Sequence, residues 1–413
     1  MRSRSLPLFL LLLSMTCACS SQEADVSGER GGKQLLKQLA RGNNAFGWRL
    51  FAALRKEGPD LFLSPYSIRR ALAMVSAGAA GETAAQMEAP LDLFPGHHRA
   101  AAQLAATMAR KGAGVTFTQA NAVWAQAGME VLDPFRQVLA EEYGAGLERV
   151  DFKADPAAAS RRIDRWAERA TRGLVKRVMP PGVIDPMTRM VLANAIYFKG
   201  LWDRAFDADR TRARFFFPRE GERYRVHLMY LKEELLLGEN EHMQVLQLPY
   251  KGKAFAMNLY LPRERQGCPA MEARFAAGDF ARVPGKWRRR EVEVHLPRFR
   301  IECAFRLAAG LRALGIRQAF DQRSADFSRI NGRKDLFLDE VIHKAVVKVD
   351  EKGTEAAAVT APELELKGKP RYPLFRADHP FLFTISHNPS GTILFLGRVG
   401  RPPAAAPAET KAK

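Results

Sequence analysis

Residues able to do catalytic chemistry together are hard to find in this chain of 413 residues. No G-x-S-x-G elbow, Walker loop, H-E-x-x-H pair or G-x-G-x-x-G turn occurs in it. The common nucleophile, phosphate-binding and zinc-hydrolase arrangements therefore lack their residues. The eight histidines are scattered. His97 and His98 are adjacent, a spacing that suits a solvent loop better than a metal site, whose ligands must converge. Asp and Glu occur as ordinary surface charge, with no pair set apart for proton transfer. No catalytic residue, metal or cofactor is expected, and the protein is expected not to be an enzyme. One stretch is unusual in another way. EKGTEAAAVT, residues 351–360, follows LDEVIHKAVVKVD, which reads as a β-strand, without a stop signal between them. On propensity alone Ala356, Ala357 and Ala358 make a surface helical turn. Read with period two, Thr354, Ala356, Ala358 and Thr360 share one face of a strand, and Glu355, Ala357 and Val359 the other.

Hydrophobic residues make up 47% of the chain, enough for a substantial core. Neither a Pro/Gly/Ser linker nor an internal repeat divides it, so one large mixed domain is expected. Arg2 and Arg4, the apolar run LPLFLLLL and the small residues after it form an export signal over residues 1–18, with an apolar run too short to span a bilayer. Cys19 follows Ala18 as in a bacterial lipoprotein signal, where the cysteine is lipidated after cleavage, although Thr16 stands where Leu is usual. Ordinary secretion is the alternative. Either way a secreted, periplasmic or cell-surface location is expected, with membrane attachment only through the lipid. Residues 19–32 read as a disordered linker and 401–413, RPPAAAPAETKAK, as a disordered tail. Beyond the anchor only Cys268 and Cys303 remain, which is no disulfide framework. The formal net charge is +19, and 62 basic against 45 acidic residues, or +17, once Arg2 and Arg4 leave. Such a surface attracts polyanions. Basic residues concentrate in SRRIDRWAERATRGLVKR (Arg161, Arg162, Arg165, Arg169, Arg172, Lys176, Arg177) and in GKWRRR (Lys286, Arg288, Arg289, Arg290). A heparin-like chain is the candidate partner there, and a solvated basic face the alternative.

The elements that must hold these residues can be read in outline. GKQLLKQLARGNNAFGWRLFAALRKEG has apolar residues at helical spacing and ends at Gly58 and Pro59. SPYSIRRALAMVSAGAAG puts Ser64 at the cap and Pro65 in the first turn of a second helix. Further helices are expected near residues 97–111, 129–143 and 155–172. From about residue 187 strands take over: TRMVLANAIYFKG, MQVLQLPY, AFAMNLYLP, REVEVHLPRF, DLFLDEVIHKAVVKVD, PFLFTISHN and GTILFLGRV. Helices first and strands later indicate an α+β fold with antiparallel sheets.

In this order, over residues 33–400, the segments resemble the serpin family of serine protease inhibitors. LSPYSIRRALAMVSAGAAGETAAQM is similar to the family's S-P-x-S-I helix and the G-A-x-G-x-T-x-x-Q-M that follows it. NAIYFKGLWDRAF matches N-x-x-x-F-K-G-x-W-x-x-x-F. LPRFRIECAF with ADFSRI resembles the L-P-x-F segment and D-F-S turn, and HPFLFTISHNPSGTILFLGRV the C-terminal hairpin. DEVIHKAVVKVDEKGTEAAAVT resembles a central strand plus the hinge of the reactive loop: Glu351, Gly353, Thr354, Glu355, Ala356, Ala357 and Ala358. The resemblance implies a serpin fold with three antiparallel or mixed β-sheets, eight or nine helices and an exposed reactive-centre loop, in a monomer.

It also implies suicide-substrate inhibition. A target protease forms a covalent acyl complex on the loop, and the freed loop inserts into the sheet as a new strand. Small residues on the inward face can enter without overpacking the core or burying an unpaired charge. Gly353 gives the bend its freedom. Family spacing from Glu351 puts the cleaved bond at Lys367–Gly368, with Lys369 and Arg371 nearby, and a lysine suits a trypsin-like protease with an acidic primary pocket. Pro362 departs from the pattern, because an inserted proline removes a ladder bond. By match, Ser64, Ser67, Asn194 and His343 form a polar cluster controlling sheet opening, with Trp202 where the loop enters. On sequence alone His343 reads as a satisfied core histidine, and the two readings largely coincide. A non-inhibitory serpin acting as a carrier, a polyanion-binding surface protein and an inhibitor of a cysteine protease are the alternatives.

Overall fold

In a computed structural model, residues 19–108, 114–144, 147–171, 173, 177–282, 286–354 and 372–405 are described, the side chains of 19–31, 118–120, 195 and 281–282 excepted. The helices in that range are α1 (Cys19–Leu54), α2 (Pro65–Ser76), α3 (Gly81–Leu91), α4 (His97–Met108), α5 (Asp133–Tyr143), α6 (Pro156–Ala170), α7 (Cys268–Ala276), α8 (Ala308–Ala313) and α9 (Ser328–Asn331). Strands in the first half are β1 (Leu61–Leu63), β2 (Val115–Gln126), β3 (Leu147–Val150), β4 (Met190–Leu201), β5 (Asp207–Arg219), β6 (Glu222–Glu239), β7 (Met243–Pro249) and β8 (Phe255–Pro262). The second half adds β9 (Trp287–Pro297), β10 (Phe299–Arg306), β11 (Val341–Asp350), β12 (Gly353–Thr354), β13 (Leu374–Arg376), β14 (Phe381–His387) and β15 (Thr392–Val399). None of the described helices is long and apolar enough to cross a membrane.

The strands make two hydrogen-bonded sheets: one of nine strands in the order β1-β15-β14-β8-β7-β6-β9-β13 with β5 on β6, and one of six in the order β10-β11-β12-β4-β2-β3. Two sheets stand where three are expected because β6 is 18 residues long. Its first part pairs β5 and its last part β7, so one strand carries the ladder from one region into the next. Ile196, Phe198, Ala345 and Val347 of the smaller sheet pack with Leu246, Leu259, Val294 and Phe383 of the larger, which makes the space between sheets one core. The neighbouring positions Val191, Ala193 and Ile342 face the other way, onto Ile163 and Ala167 of α6. Packing on both faces explains why β4 is apolar from Met190 to Ile196 apart from Asn194.

Helix α2 is buried along all 12 residues. The Ser64 hydroxyl accepts from the Ser67 amide at 3.2 Å, and Pro65 occupies the first turn, as the sequence predicts. Several expectations are corrected. Helix α1 begins at Cys19, not after residue 32; no proline interrupts 19–54, so the helix passes through the stretch read as a linker. The tail is docked as far as residue 405. The Tyr224 hydroxyl donates to the Pro402 carbonyl at 2.8 Å and the Ala405 amide to the Arg225 carbonyl at 2.8 Å. The stretch from Asp335 does not start a strand; β11 starts at Val341, because Glu340 turns inward to accept the Ala308 and Val341 amides at 2.9 and 3.0 Å. REVEVHLPRF splits at Arg298 between β9 and β10. His97 is no solvent-loop residue: it opens α4, is buried and packs edge-on to His98 at 5.7 Å, while the His98 ring meets the Tyr143 hydroxyl at 2.6 Å.

Phe62 shows what the core demands. Its ring is stacked on Phe395 at 5.1 Å and on Phe383 at 5.8 Å, so β1 is held by its aromatic neighbours as well as by its ladder. Phe62→Ala is expected to destabilise the protein by about 3–5 kcal/mol, seen as an earlier unfolding transition in urea. An unchanged midpoint would show that neighbouring rings close the space.

Candidate functional site

Strands β4 and β11 run parallel and pair at four positions, from Leu192 with Val341 to Ala195 with Lys344. Among the described residues their shared ladder stops there. Further along, β12 lies between them and antiparallel to both: Thr354 stands opposite Gly200 and Val349, and Gly353 opposite Leu201 and Asp350. The first two residues of the expected hinge strand are thus already in the sheet. Gly353 has φ +154°, and a Cβ there would meet the Gly200 carbonyl oxygen at 2.1 Å, so no other residue fits without moving β4.

Thr354 is buried, and its hydroxyl meets the Tyr250 hydroxyl at 2.9 Å. Tyr250 stacks on Trp202 at 4.6 Å and 11°. The Trp202 indole N–H donates to the Asp350 carbonyl at 3.0 Å and its backbone N–H to the Lys352 carbonyl at 2.9 Å. These bonds fasten the turn between β11 and β12 to the end of β4. Glu351 anchors the same turn from the other side, accepting from Arg298 at 2.7 Å and from the Thr211 hydroxyl at 2.6 Å. Burial raises the Glu351 carboxyl pKa, and the bonds from Arg298 and Thr211 outweigh it, so the group sits below the usual carboxylate range.

At the paired end lies the polar cluster. The Ser64 backbone N–H points at His343 Nε2 at 3.0 Å, so Nε2 must be the acceptor nitrogen. The proton is then on Nδ1, which donates to Asn194 Oδ1 at 3.1 Å. The Asn194 amide in turn donates to Ser67 Oγ and to Asn121 Oδ1, and the Ser64 hydroxyl donates to the Leu394 carbonyl at 2.6 Å. One chain of bonds ties β2, β4 and β11 to the start of α2 and to β15. His343 is fully buried, and burial pushes its pKa down to about 3.

The structure therefore gathers Ser64, Ser67, Asn194 and His343 at one end of the β4–β11 pair, and Trp202, Glu351, Gly353 and Thr354 at the other. Glu355, Ala356, Ala357, Ala358, Pro362, Lys367, Gly368, Lys369 and Arg371 lie outside the described residues, as do Arg172 and Lys176. Cys19 opens α1, with its side chain outside that description. Arg288, Arg289 and Arg290 follow one another on β9, so they alternate between its faces; Arg290 pairs with Glu239 at 3.5 Å and Arg289 lines a cavity beside Trp202. Arg161 and Arg162, on α6 against the other sheet, pair with Asp155 at 3.9 Å and Glu148 at 3.1 Å. Among the described residues neither basic run forms one uninterrupted face. Sequence reading missed Asn121, Tyr250, Thr211 and Arg298. A polar Asn in the middle of TQANAVWAQ was the only signal for the first; the others carry none.

The family model for Serpin (serine protease inhibitor) matches residues 41–402. The leukocyte elastase inhibitor of Equus caballus is 37% identical over 379 residues, covering 89% of this chain and all of that one. Among solved structures, uncleaved ovalbumin matches with a TM-score of 0.79 at 29% identity over 88% of this chain and all of its own. The native stressed conformation of an Arabidopsis serpin matches with a TM-score of 0.80 at 27% identity, over 89% of this chain and 98% of its own. The chain belongs to the serpin family. The class is one of protease inhibitors, which bind target proteases.

His343 makes the sheet sensitive to acid. Its folded pKa lies below the value of about 6.5 for an unfolded histidine, so the unfolded chain binds the proton first. Its contribution is complete above about pH 6.5 and is lost as pH falls toward 3. Urea unfolding is expected to show stability dropping between pH 7 and 4, by up to about 1.4 kcal/mol per pH unit from this group. In His343→Gln that slope should be smaller; an equal slope would place the acid sensitivity elsewhere.

Proposed function

We propose that this protein is a suicide-substrate inhibitor of a trypsin-like serine protease, exported from the cell and cleaved at Lys367–Gly368. The observation that carries the reading is the register of Thr354 between β4 and β11. Continued from Thr354, that register sets residues 355–358 opposite Lys199, Phe198, Tyr197 and Ile196 on β4, and opposite Lys348, Val347, Val346 and Ala345 on β11. Phe198 with Val347, and Ile196 with Ala345, already face the core between the sheets. Ala356 and Ala358 arrive on that buried face, where small side chains add no strain. Glu355 arrives between two lysines, Lys199 and Lys348.

The next residue meets the Ala195–Lys344 pair. Further insertion must part the four existing rungs and the His343–Asn194 bond. Each parted backbone bond is replaced by bonds to the incoming strand on both sides. In the reaction the protease nucleophile attacks the Lys367 carbonyl and the amine of Gly368 leaves. The acyl bond then holds the enzyme to the inserting strand. Pro362 reaches the last of the four rungs, opposite Leu192 and Val341, and leaves one ladder bond unmade there, at a cost of about 1 kcal/mol. Insertion slowed at that point favours release of the protease as cleaved product. The leukocyte elastase inhibitors among the relatives support a serine protease as target. A lysine before the cleaved bond favours an acidic primary pocket over elastase's small one.

Incubation with trypsin is expected to give a complex that survives denaturing electrophoresis and a C-terminal peptide starting at Gly368. Turnover with no complex at any ratio would overturn the inhibitory reading. A stable complex with leukocyte elastase alone would overturn only the trypsin-like part. A second expectation concerns Ala356, which that register carries to the buried face beside Phe198 and Val347. In Ala356→Arg the guanidinium would have to enter the core unpaired on insertion, so the variant should still be cleaved while trapping no protease. Trapping at the wild-type stoichiometry would show that the inward face is assigned wrongly.

A further inference from the structure

The nine-stranded sheet carries a groove of about 690 Å³ at the end where β5, β6, β9 and β13 lie side by side. Arg376, His295 and Tyr230 stand on one rung across β13, β9 and β6, and with Leu228 they line it. Arg212 and Arg214 alternate along β5 and so share a face. The ladder is interrupted between Asp207 and Arg212, and within that interruption Arg210 folds over the Tyr230 ring at 3.5 Å. Arg265, from the segment between β8 and α7, lies over the Phe217 ring at 3.6 Å. Five arginines from three separate stretches thus line one groove.

Charge is not balanced within it. The two carboxylates of the lining serve histidines: Glu293 binds His295 at 2.9 Å and Asp378 binds His379 at 2.8 Å. None of the five arginines forms an ion pair among the described residues. The effect reaches His295, whose pKa is held below its ordinary value by burial, with Arg376 and Arg214 adding to it against the bond to Glu293. Stacking matters as well. A guanidinium lying on a ring has one face covered and keeps its N–H donors in its own plane, so Arg265 is pre-set to receive oxygen acceptors, while Arg210 is held in place over Tyr230, whose hydroxyl it also bonds.

We propose that this groove binds a compact polyanion, a ligand carrying several phosphate or sulfate groups on a small ring scaffold such as a sugar polyphosphate or polysulfated disaccharide. Its volume falls within the range of about 300–1,000 Å³ usual for small-molecule sites. Forked guanidiniums match tetrahedral oxyanions with two parallel bonds each. Single-stranded nucleic acid fits less well, because it needs open aromatic faces for its bases. Here Tyr230 is covered by Arg210, Phe217 by Arg265, and Phe215 by Arg223 and Arg225 at 4.6 and 5.4 Å. The site is separate from residues 286–290, none of which lines it.

The test is calorimetric titration of the full chain with inositol hexakisphosphate and with a trisulfated heparin disaccharide, at low and at physiological salt. At least one of the two is expected to bind the wild-type protein, more weakly as salt rises. Arg214→Gln/Arg376→Gln, two surface changes, is expected to weaken that binding about tenfold or more with the melting temperature unchanged. Arg288→Gln/Arg289→Gln/Arg290→Gln should bind as the wild type does. If neither ligand binds at low salt, or if the control variant loses affinity and the groove variant keeps it, the proposal fails. Tighter binding of a single-stranded oligonucleotide of equal charge would also overturn it, in favour of a nucleic-acid surface.

Discussion

Four rungs of parallel ladder join β4 to β11 among the described residues, and beyond them the two strands have only β12 as a common neighbour. A sheet whose centre is joined over so short a length depends on what fixes its two ends. At one end this is a buried neutral imidazole whose two nitrogens are both engaged, one by the Ser64 amide and one by Asn194. At the other it is a turn fastened by Trp202, Tyr250 and Arg298. The two ends differ in kind. The imidazole sits in a dry core, where a lost partner leaves a polar group without water. Arg298 is about half exposed, at 45%, so solvent tempers what its charge contributes.

How far this could be read in the sequence varied with the physics involved. Local chemistry was legible: a serine cap followed by proline fixed the start of α2, and short apolar runs fixed β7, β8, β14 and β15 to within a residue or two. The early strands β1, β2 and β3 and the long pair β5–β6 were not. β2 mixes Thr, Gln and Asn into its pattern, and KEELLLGE at the end of β6 has the spacing of a helix; both are strands only because neighbouring strands complete their ladders. The stretch before β11 failed for the opposite reason, since a single buried carboxylate, Glu340, diverts apolar residues out of the ladder.

The site itself was half legible. Of the expected hinge strand, Gly353 and Thr354 lie in the sheet and the residues after them lie outside the described ones, while the motif match nominated Ser64, Asn194 and His343. That His343 is singly protonated on Nδ1 follows only from the direction of the Ser64 amide, which no sequence reveals. Arginines gave the reverse lesson. The eye goes to consecutive runs, yet RRR along a strand points alternately to two faces, while Arg210, Arg214, Arg265 and Arg376 are scattered in sequence and meet at one groove.

Ser64 serves two structures at once. Its hydroxyl caps α2 and bonds the Leu394 carbonyl, while its amide proton lies on His343 across the boundary between helix and sheet. That proton can exchange with solvent deuterium only when the histidine moves away from it. The Ser64 amide is therefore a clock built into the chain: the time it takes to label measures how often the paired end of β4 and β11 comes apart, in the intact protein and without any protease present.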